Sequence, residues 1–173
     1  MKTLIALLRA VNVGGTGKLP MAELRGMAED VGFDNVRTYI QSGNLVFSSS
    51  DAMPDARKAL EQRLEDYAGK PVGVILRTAQ EMHRVFDANP FPDAEPSKVG
   101  VLFLDNAPPP GIAETAKGQT DEVIEPGERE VYIHFPSGMG RTKLRLAAMS
   151  DGTVRNINTV RKLVNMATGS GSK

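Results

Sequence analysis

From Thr3 to Val11 apolar residues run almost unbroken, a stretch too short for a well-buried helix and suited to a central strand. The Gly-rich segment Asn12 to Lys18 ends it. The period then lengthens: Met21, Leu24, Ala28 and Val31 recur at spacings of three and four, Pro20 suits a first helical position, and Gly32 suits a C-terminal stop. A helix is predicted there. Asn35 to Gln41 and Asn44 to Ser48, rich in Val, Thr, Tyr, Ile and Phe, flank Ser42-Gly43 and predict a hairpin. Its alternation puts Val36, Thr38 and Ile40 on the face toward the helices and Arg37, Tyr39 and Gln41 on the other. That other face suits nucleic-acid binding or packing against a second domain, and packing is favoured since two tandem units must bury surface. Pro54 opens a second helix with Ala56, Leu60, Leu64 and Tyr67 on one face, Gly69 closes it, and Val72 to Leu76 reads as a strand.

The order strand, helix, strand, strand, helix, strand is that of the split βαβ or ferredoxin-like unit. A linking helix is predicted from Thr78, whose hydroxyl caps it while Glu81 reaches back, with Met82, Val85 and Phe86 as its buried stripe. Asn89-Pro90-Phe91-Pro92 breaks it. A second series follows. Val99 to Leu104 reads as a strand, Pro109 to Lys117 as helical, and Asp121 to Glu125 with Glu130 to Phe135 as a strand pair around Pro126-Gly127. Arg141 to Met149 reads as helical, Thr153 to Arg155 as a short strand, and Asn158 as cap of a last helix carrying Val160, Leu163 and Val164. The expected fold is therefore α+β: two tandem ferredoxin-like (βαββαβ, alpha-beta plait) halves with a linking helix and a C-terminal helix. The expected boundaries are 1–77 for the first unit, 78–97 for the linker, 98–168 for the second unit and 169–173 for a disordered Gly/Ser tail. The repetition is one of element order, without residue-level self-similarity.

Composition narrows the function. The chain has 173 residues, enough for one domain or two small ones, with 40% hydrophobic and 24% charged residues, ordinary globular usage. It has 0 cysteines, which excludes disulfides, thiolate metal sites and a cysteine nucleophile and fits a reducing, cytoplasmic setting. Leu4 to Leu8 falls far short of the roughly 20 apolar residues that span a bilayer, and no cleavage signal follows it, so no membrane association is expected. Lys plus Arg and Asp plus Glu are 21 each, so no global field draws in nucleic acid. Charge is nonetheless polarised: six bases against one acid between Arg141 and Leu163, and six acids against two bases between Glu114 and Glu130.

Leu7-Leu8-Arg9-Ala10-Val11-Asn12-Val13-Gly14-Gly15, Met21-Ala22-Glu23-Leu24 and Thr38-Tyr39-Ile40-Gln41-Ser42-Gly43-Asn44 resemble the bacterial family of domain of unknown function 1697. Asn89-Pro90-Phe91, Gly140-Arg141-Thr142-Lys143 and Arg155-Asn156-Ile157-Asn158-Thr159 are similar to its later motifs. The resemblance extends to about Ala167; Ala10 stands where the family usually has Gly, and Ile157 where Trp is common. It implies two ferredoxin-like halves and no activity, cofactor or catalytic residue.

The residues themselves suggest an anion site. Gly14-Gly15-Thr16-Gly17-Lys18 lies between a strand and a helix, where free N–H groups and the positive helix end favour phosphate or carboxylate, or where the glycines simply allow a tight connection. Asn12 and Leu19 stand where a P-loop needs Gly and Ser or Thr, which disfavours ATP hydrolysis of that type. Ser137-Gly138-Met139-Gly140-Arg141-Thr142-Lys143 repeats the chemistry before a predicted helix, either to bind a second phosphate or to sit solvated or paired within the chain. The candidate ligand-binding set is Arg9, Asn12, Gly14, Gly15, Lys18, Tyr39, Gln41, Ser42, Asn44, Arg141, Lys143, Arg155 and Asn156. One of Asn156 and Asn158 is expected to cap the last helix.

The first expectation is thus a binder of a phosphate-containing small molecule or nucleic acid, with no cofactor, as a monomer or homodimer. An enzyme acting on a small anionic substrate, with His134 or Tyr39 moving the proton, is one alternative; an interaction module without a ligand is another. His83 and His134 lack partners at metal-ligand spacing, Gly-x-Ser-x-Gly is absent, and the hairpin lacks the aromatic segment with which RNA-binding relatives of this topology stack bases.

Overall fold

The computed structural model describes residues 1–9, 19–39, 43–140 and 142–169. Among them are eight strands and four α-helices, with short 3₁₀ segments. The chain divides into two compact units, Met1–Met82 with Leu163–Lys173, and His83–Lys162.

In the first unit, β1 (Lys2–Leu8), β2 (Asp34–Tyr39), β3 (Asn44–Ser49) and β4 (Val74–Thr78) form an antiparallel sheet in the order β2-β3-β1-β4. Helices α1 (Met21–Asp30) and α2 (Met53–Ala68) follow β1 and β3. Their three- and four-residue stripes, Leu24, Met27 and Ala28 on α1 and Ala56, Leu60 and Leu64 on α2, pack on Leu4, Ala6, Leu8, Leu45, Phe47 and Leu76. Phe33 stacks on Phe47 with ring centroids 4.1 Å apart. Gly69 closes α2 in the left-handed region at φ 75°, its N–H donating to Glu65 O at 2.8 Å. Ile5, Leu7, Val46 and Ile75, which alternate with the helix-facing set, are also buried. Burial on both faces explains why β1 reads as a continuous apolar run.

Helix α3 (Ala79–Asp87) begins with the predicted reciprocal cap: Thr78 N–H donates to Glu81 Oε1 at 2.9 Å and Glu81 N–H to Thr78 Oγ1 at 3.0 Å. Met82 and Val85 are buried, whereas Phe86 is only half-buried.

The second unit carries β5 (Val99–Phe103), β6 (Val123–Pro126), β7 (Glu130–His134) and β8 (Thr153–Asn156) in the order β6-β7-β5-β8, again antiparallel. Helix α4 (Ile157–Thr168) follows β8, and the division between units falls within α3 and α4. Two helices expected here are absent. In place of Pro109 to Lys117 there is one 3₁₀ segment, Ile112–Thr115. Pro109 and Pro110 cannot donate, Gly111 is left-handed at φ 72°, and Ala116 is already extended. In place of Arg141 to Met149 there is a 3₁₀ segment at Ala147–Asp151, preceded by extended chain. Leu144, Leu146 and Ala148 are buried while Lys143, Arg145 and Ala147 between them are exposed, a period of two rather than 3.6. Arg145 and Lys117 exchange both backbone bonds, at 2.7 and 2.9 Å. The core of this unit gathers Leu102, Leu104, Ile112, Ile124, Val131, Ile133, Phe135, Leu144 and Leu146.

The repetition extends below element order, contrary to the reading of the sequence. Arg77 on β4 pairs across from Ile5 of β1, and Arg155 on β8 from Val101 of β5. Both are buried, at 2% and 6% exposure, and both donate from Nη1 to the carbonyl of the preceding residue, at 3.0 and 3.1 Å. A capping side chain and a helix come next in each case, Thr78 before α3 and Asn156 before α4.

Candidate functional site

The antiparallel register brings several candidate residues to one end of the first sheet. β1 finishes there, the β2–β3 turn lies beside it, and β4 starts on its other flank. Leu8 N–H donates to Gly43 O and Arg9 N–H to Gly73 O, both at 2.9 Å. Buried Asn44 donates from Nδ2 to Tyr39 O at 3.0 Å, so its amide braces the hairpin turn from inside. Glu61 of α2 accepts Val74 N–H at 3.0 Å and Arg57 Nε at 3.3 Å, which anchors the start of β4 beside Gly73.

Arg9 is half-buried, and its guanidinium lies over Gly73: a Cβ there would meet Nε, Cζ and Nη2. Only a glycine permits that approach. The guanidinium makes no hydrogen bond or ion pair among the described residues. After β1 the described chain resumes at Leu19 and continues as α1, whose C-terminus leads into the start of β2. Pro20 is the N-cap of α1 and supplies no side-chain bond, so the orphan N–H groups of the first turn have no capping oxygen from it. Asn12, Gly14, Gly15, Lys18, Gln41 and Ser42 lie outside the described residues, as do Arg141 and the tail from Ser170.

The second Gly-rich loop lies in the second unit. Gly138, at φ 92°, donates to Phe135 O at 2.8 Å, and no helix N-terminus follows it because residues 142–146 are not helical. Its hydroxyls turn to the chain's own acids: Ser137 Oγ donates to Asp121 and Thr142 Oγ1 to Glu122. Lys143 is exposed. Glu122, buried, also accepts Thr120 N–H at 2.7 Å. The Thr142 bond first, and then the Thr120 backbone bond, outweigh desolvation and hold its carboxyl below the usual carboxylate range. A depressed folded pKa gives stability that is complete above the unfolded value and disappears as pH falls through the folded one. Acid titration of stability should therefore show a loss below the ordinary carboxylate range, and Glu122→Gln should flatten that limb in denaturant melts taken across pH.

Arg155 presents no guanidinium to solvent. Besides Val154 O it donates to Thr153 Oγ1, and burial lowers its pKa to about 10. Asn156, not Asn158, caps α4: its Oδ1 accepts Thr159 N–H at 2.9 Å. His134 is half-buried, with its ring 5.5 Å from that of Phe91. Tyr132, on the same strand face, donates its hydroxyl to Val85 O at 2.7 Å, and burial, reinforced by Glu130 and Glu128, pushes its pKa upward. His83 Nδ1 lies 3.2 Å from Asp87 Oδ2 on the surface of α3. Among the described residues no three His, Cys, Asp or Glu side chains cluster as a metal site, and no helix is long and apolar enough to cross a membrane.

These features define an α+β protein built from two four-stranded antiparallel sheets of the same strand order. The chain belongs to the family described as "Protein of unknown function (DUF1697)", which it matches over residues 1–132. The motifs at Gly140 to Lys143 and Arg155 to Thr159 lie beyond that span. The fold is similar to that of conserved bacterial protein SP0830 from Streptococcus pneumoniae, with a TM-score of 0.77 and 23% identity over 96% of this chain and 98% of that one. At that identity the likeness speaks for the fold alone. No curated protein matches the chain.

Proposed function

We propose that the end of the first sheet where Arg9 lies over Gly73 binds an anionic ligand, a phosphate-bearing molecule such as a nucleotide. One observation carries this reading: the guanidinium of half-buried Arg9, held against Gly73, has no acceptor among the described residues. Burial strengthens what such a group offers an oxyanion, and Arg is suited to bidentate phosphate contact. The uncapped start of α1 and the Gly14 to Lys18 segment that precedes it support the same chemistry. We take the first unit to be a ferredoxin-like plait, a reading supported by the order β2-β3-β1-β4 with helices after β1 and β3. The second unit keeps the strand order and reduces the two helices to 3₁₀ segments. We leave Ser137, Thr142 and Lys143 out of the site, because Asp121 and Glu122 accept from the two hydroxyls and their charge opposes an anion there.

Titration calorimetry of the whole chain with inorganic pyrophosphate at low salt tests the proposal. Arg9→Ala should weaken binding about tenfold or more and change stability by no more than about 0.5 kcal/mol. Gly73→Ala, whose Cβ must displace the guanidinium, should weaken it too. Added salt should lower the wild-type affinity. Equal affinity in wild type and Arg9→Ala would overturn the reading.

A further inference from the structure

Two segments that the anion site does not use, Asn89-Pro90-Phe91 and Arg155 to Thr159, both contribute to one cleft in the second unit. It has a volume of about 290 Å³ and lies between the end of α3, the chain after it and the first turns of α4. That is near the lower end of the roughly 300–1,000 Å³ range of small-molecule sites. Phe86 and Ile157 supply apolar surface, and Asp87, Asn89, Asn158 and Arg161 supply the polar groups.

The hydrogen bonds already made fix which end of each amide remains available. Asn89 Oδ1 accepts Phe91 N–H at 3.0 Å, and Asn158 Oδ1 accepts Arg161 Nη2 at 3.3 Å. In both, the NH₂ group is the end without a partner among the described residues. Arg161 has no carboxylate partner among them either. Three donor groups thus border the cleft with a single acid. Asp87 uses Oδ2 toward His83 at 3.2 Å, which leaves Oδ1 as an acceptor. Asp87 and Arg161 line the same cleft yet form no ion pair with each other. A plain carboxylate would meet Asp87 and a plain ammonium would meet three donors; a molecule carrying both charges satisfies both sides.

We propose that this cleft binds a small zwitterion of the free α-amino acid class. Arg161, Asn89 and Asn158 receive the carboxylate, Asp87 receives the ammonium, and an apolar side chain lies against Phe86 and Ile157. The site is independent of the phosphate site in the first unit.

The test uses the whole chain and a panel of free L-amino acids at about 5 mM, read by calorimetry, beside the N-acetyl and carboxamide derivatives of any that bind. An apolar amino acid should bind, and each blocked derivative should bind about tenfold more weakly or worse. Asp87→Asn and Arg161→Gln should each cost a similar factor, with unchanged melting temperatures because both side chains are exposed. Arg9→Ala should bind the amino acid as wild type does, which separates this site from the pyrophosphate site. Absence of binding across the panel, equal binding of the blocked derivatives, or unchanged affinity in both cleft variants would overturn the proposal.

Discussion

Gly118→Ala is expected to destabilise the second unit by on the order of 3 kcal/mol. Gly118 sits at φ 69°, where a side chain is strained, and a Cβ there would run into the backbone carbonyl of Lys143. The obstacle is main chain and cannot swing aside as a side chain does. The carbonyl belongs to the segment whose neighbour Arg145 exchanges both backbone bonds with Lys117, so relief by movement breaks that bridge. The same segment delivers Leu144 and Leu146 to the core and Thr142 to Glu122. Denaturant unfolding of Gly118→Ala against wild type measures the loss. A change below about 0.5 kcal/mol, the size of an ordinary surface substitution, would show that the bridge does not hold this segment.

Phe47→Ala should cost about 3–5 kcal/mol, the usual loss for truncating a buried aromatic ring. Phe47 is fully buried on β3, and its ring lies nearly parallel to that of Phe33 at 4.1 Å. β3 is an interior strand between β2 and β1, so the sheet cannot close over the cavity without shifting two ladders. Phe47→Leu, which keeps most of the volume, should recover a large part of the loss. Equal losses in the two variants would assign the effect to the ring stack rather than to the cavity.

Local signals in the sequence carried much of the fold. Thr78 and Glu81, three residues apart, form the cap their spacing suggests, and Pro54 and Gly69 bracket α2 as helix punctuation does. The element order of the first unit matches the one its sequence predicts. The second unit was harder to read because its short connections carry conflicting signals: Pro109 resembles a helix start until Pro110 and Gly111 follow it. Leu144, Leu146 and Ala148 alternate like strand positions inside a stretch whose composition suits a helix. The repeat of Leu76-Arg77-Thr78 by Val154-Arg155-Asn156, each before a helix, was missed in the sequence, because three residues are a weak signal until the sheets show both arginines buried at matching positions.

The candidate site was legible in part. Arg9 was a candidate for its charge alone, within a strand expected to run to Val11, whereas its position over Gly73 depends on the β1–β4 register, sixty-odd residues apart in sequence. Arg155, prominent by charge, proved buried, and Asn156 proved to be a cap. The second loop looked equivalent to the first because both are basic and Gly-rich. Folding brings Asp121 and Glu122, distant in sequence, against its Ser137 and Thr142. The proposed zwitterion cleft was legible only in part: Asn89, Ile157 and Asn158 stand in motifs named from the sequence, but its six groups come from two stretches, 86–89 and 157–161, that only folding brings together.

Nuclear magnetic resonance titration of ¹⁵N-labelled protein with inorganic pyrophosphate tests the central claim most directly. Amide shifts concentrated at Arg9, Gly43 and Gly73, and abolished by Arg9→Ala, are the predicted result. Shifts concentrated at Ser137 to Lys143 instead, or none at any concentration, would contradict it.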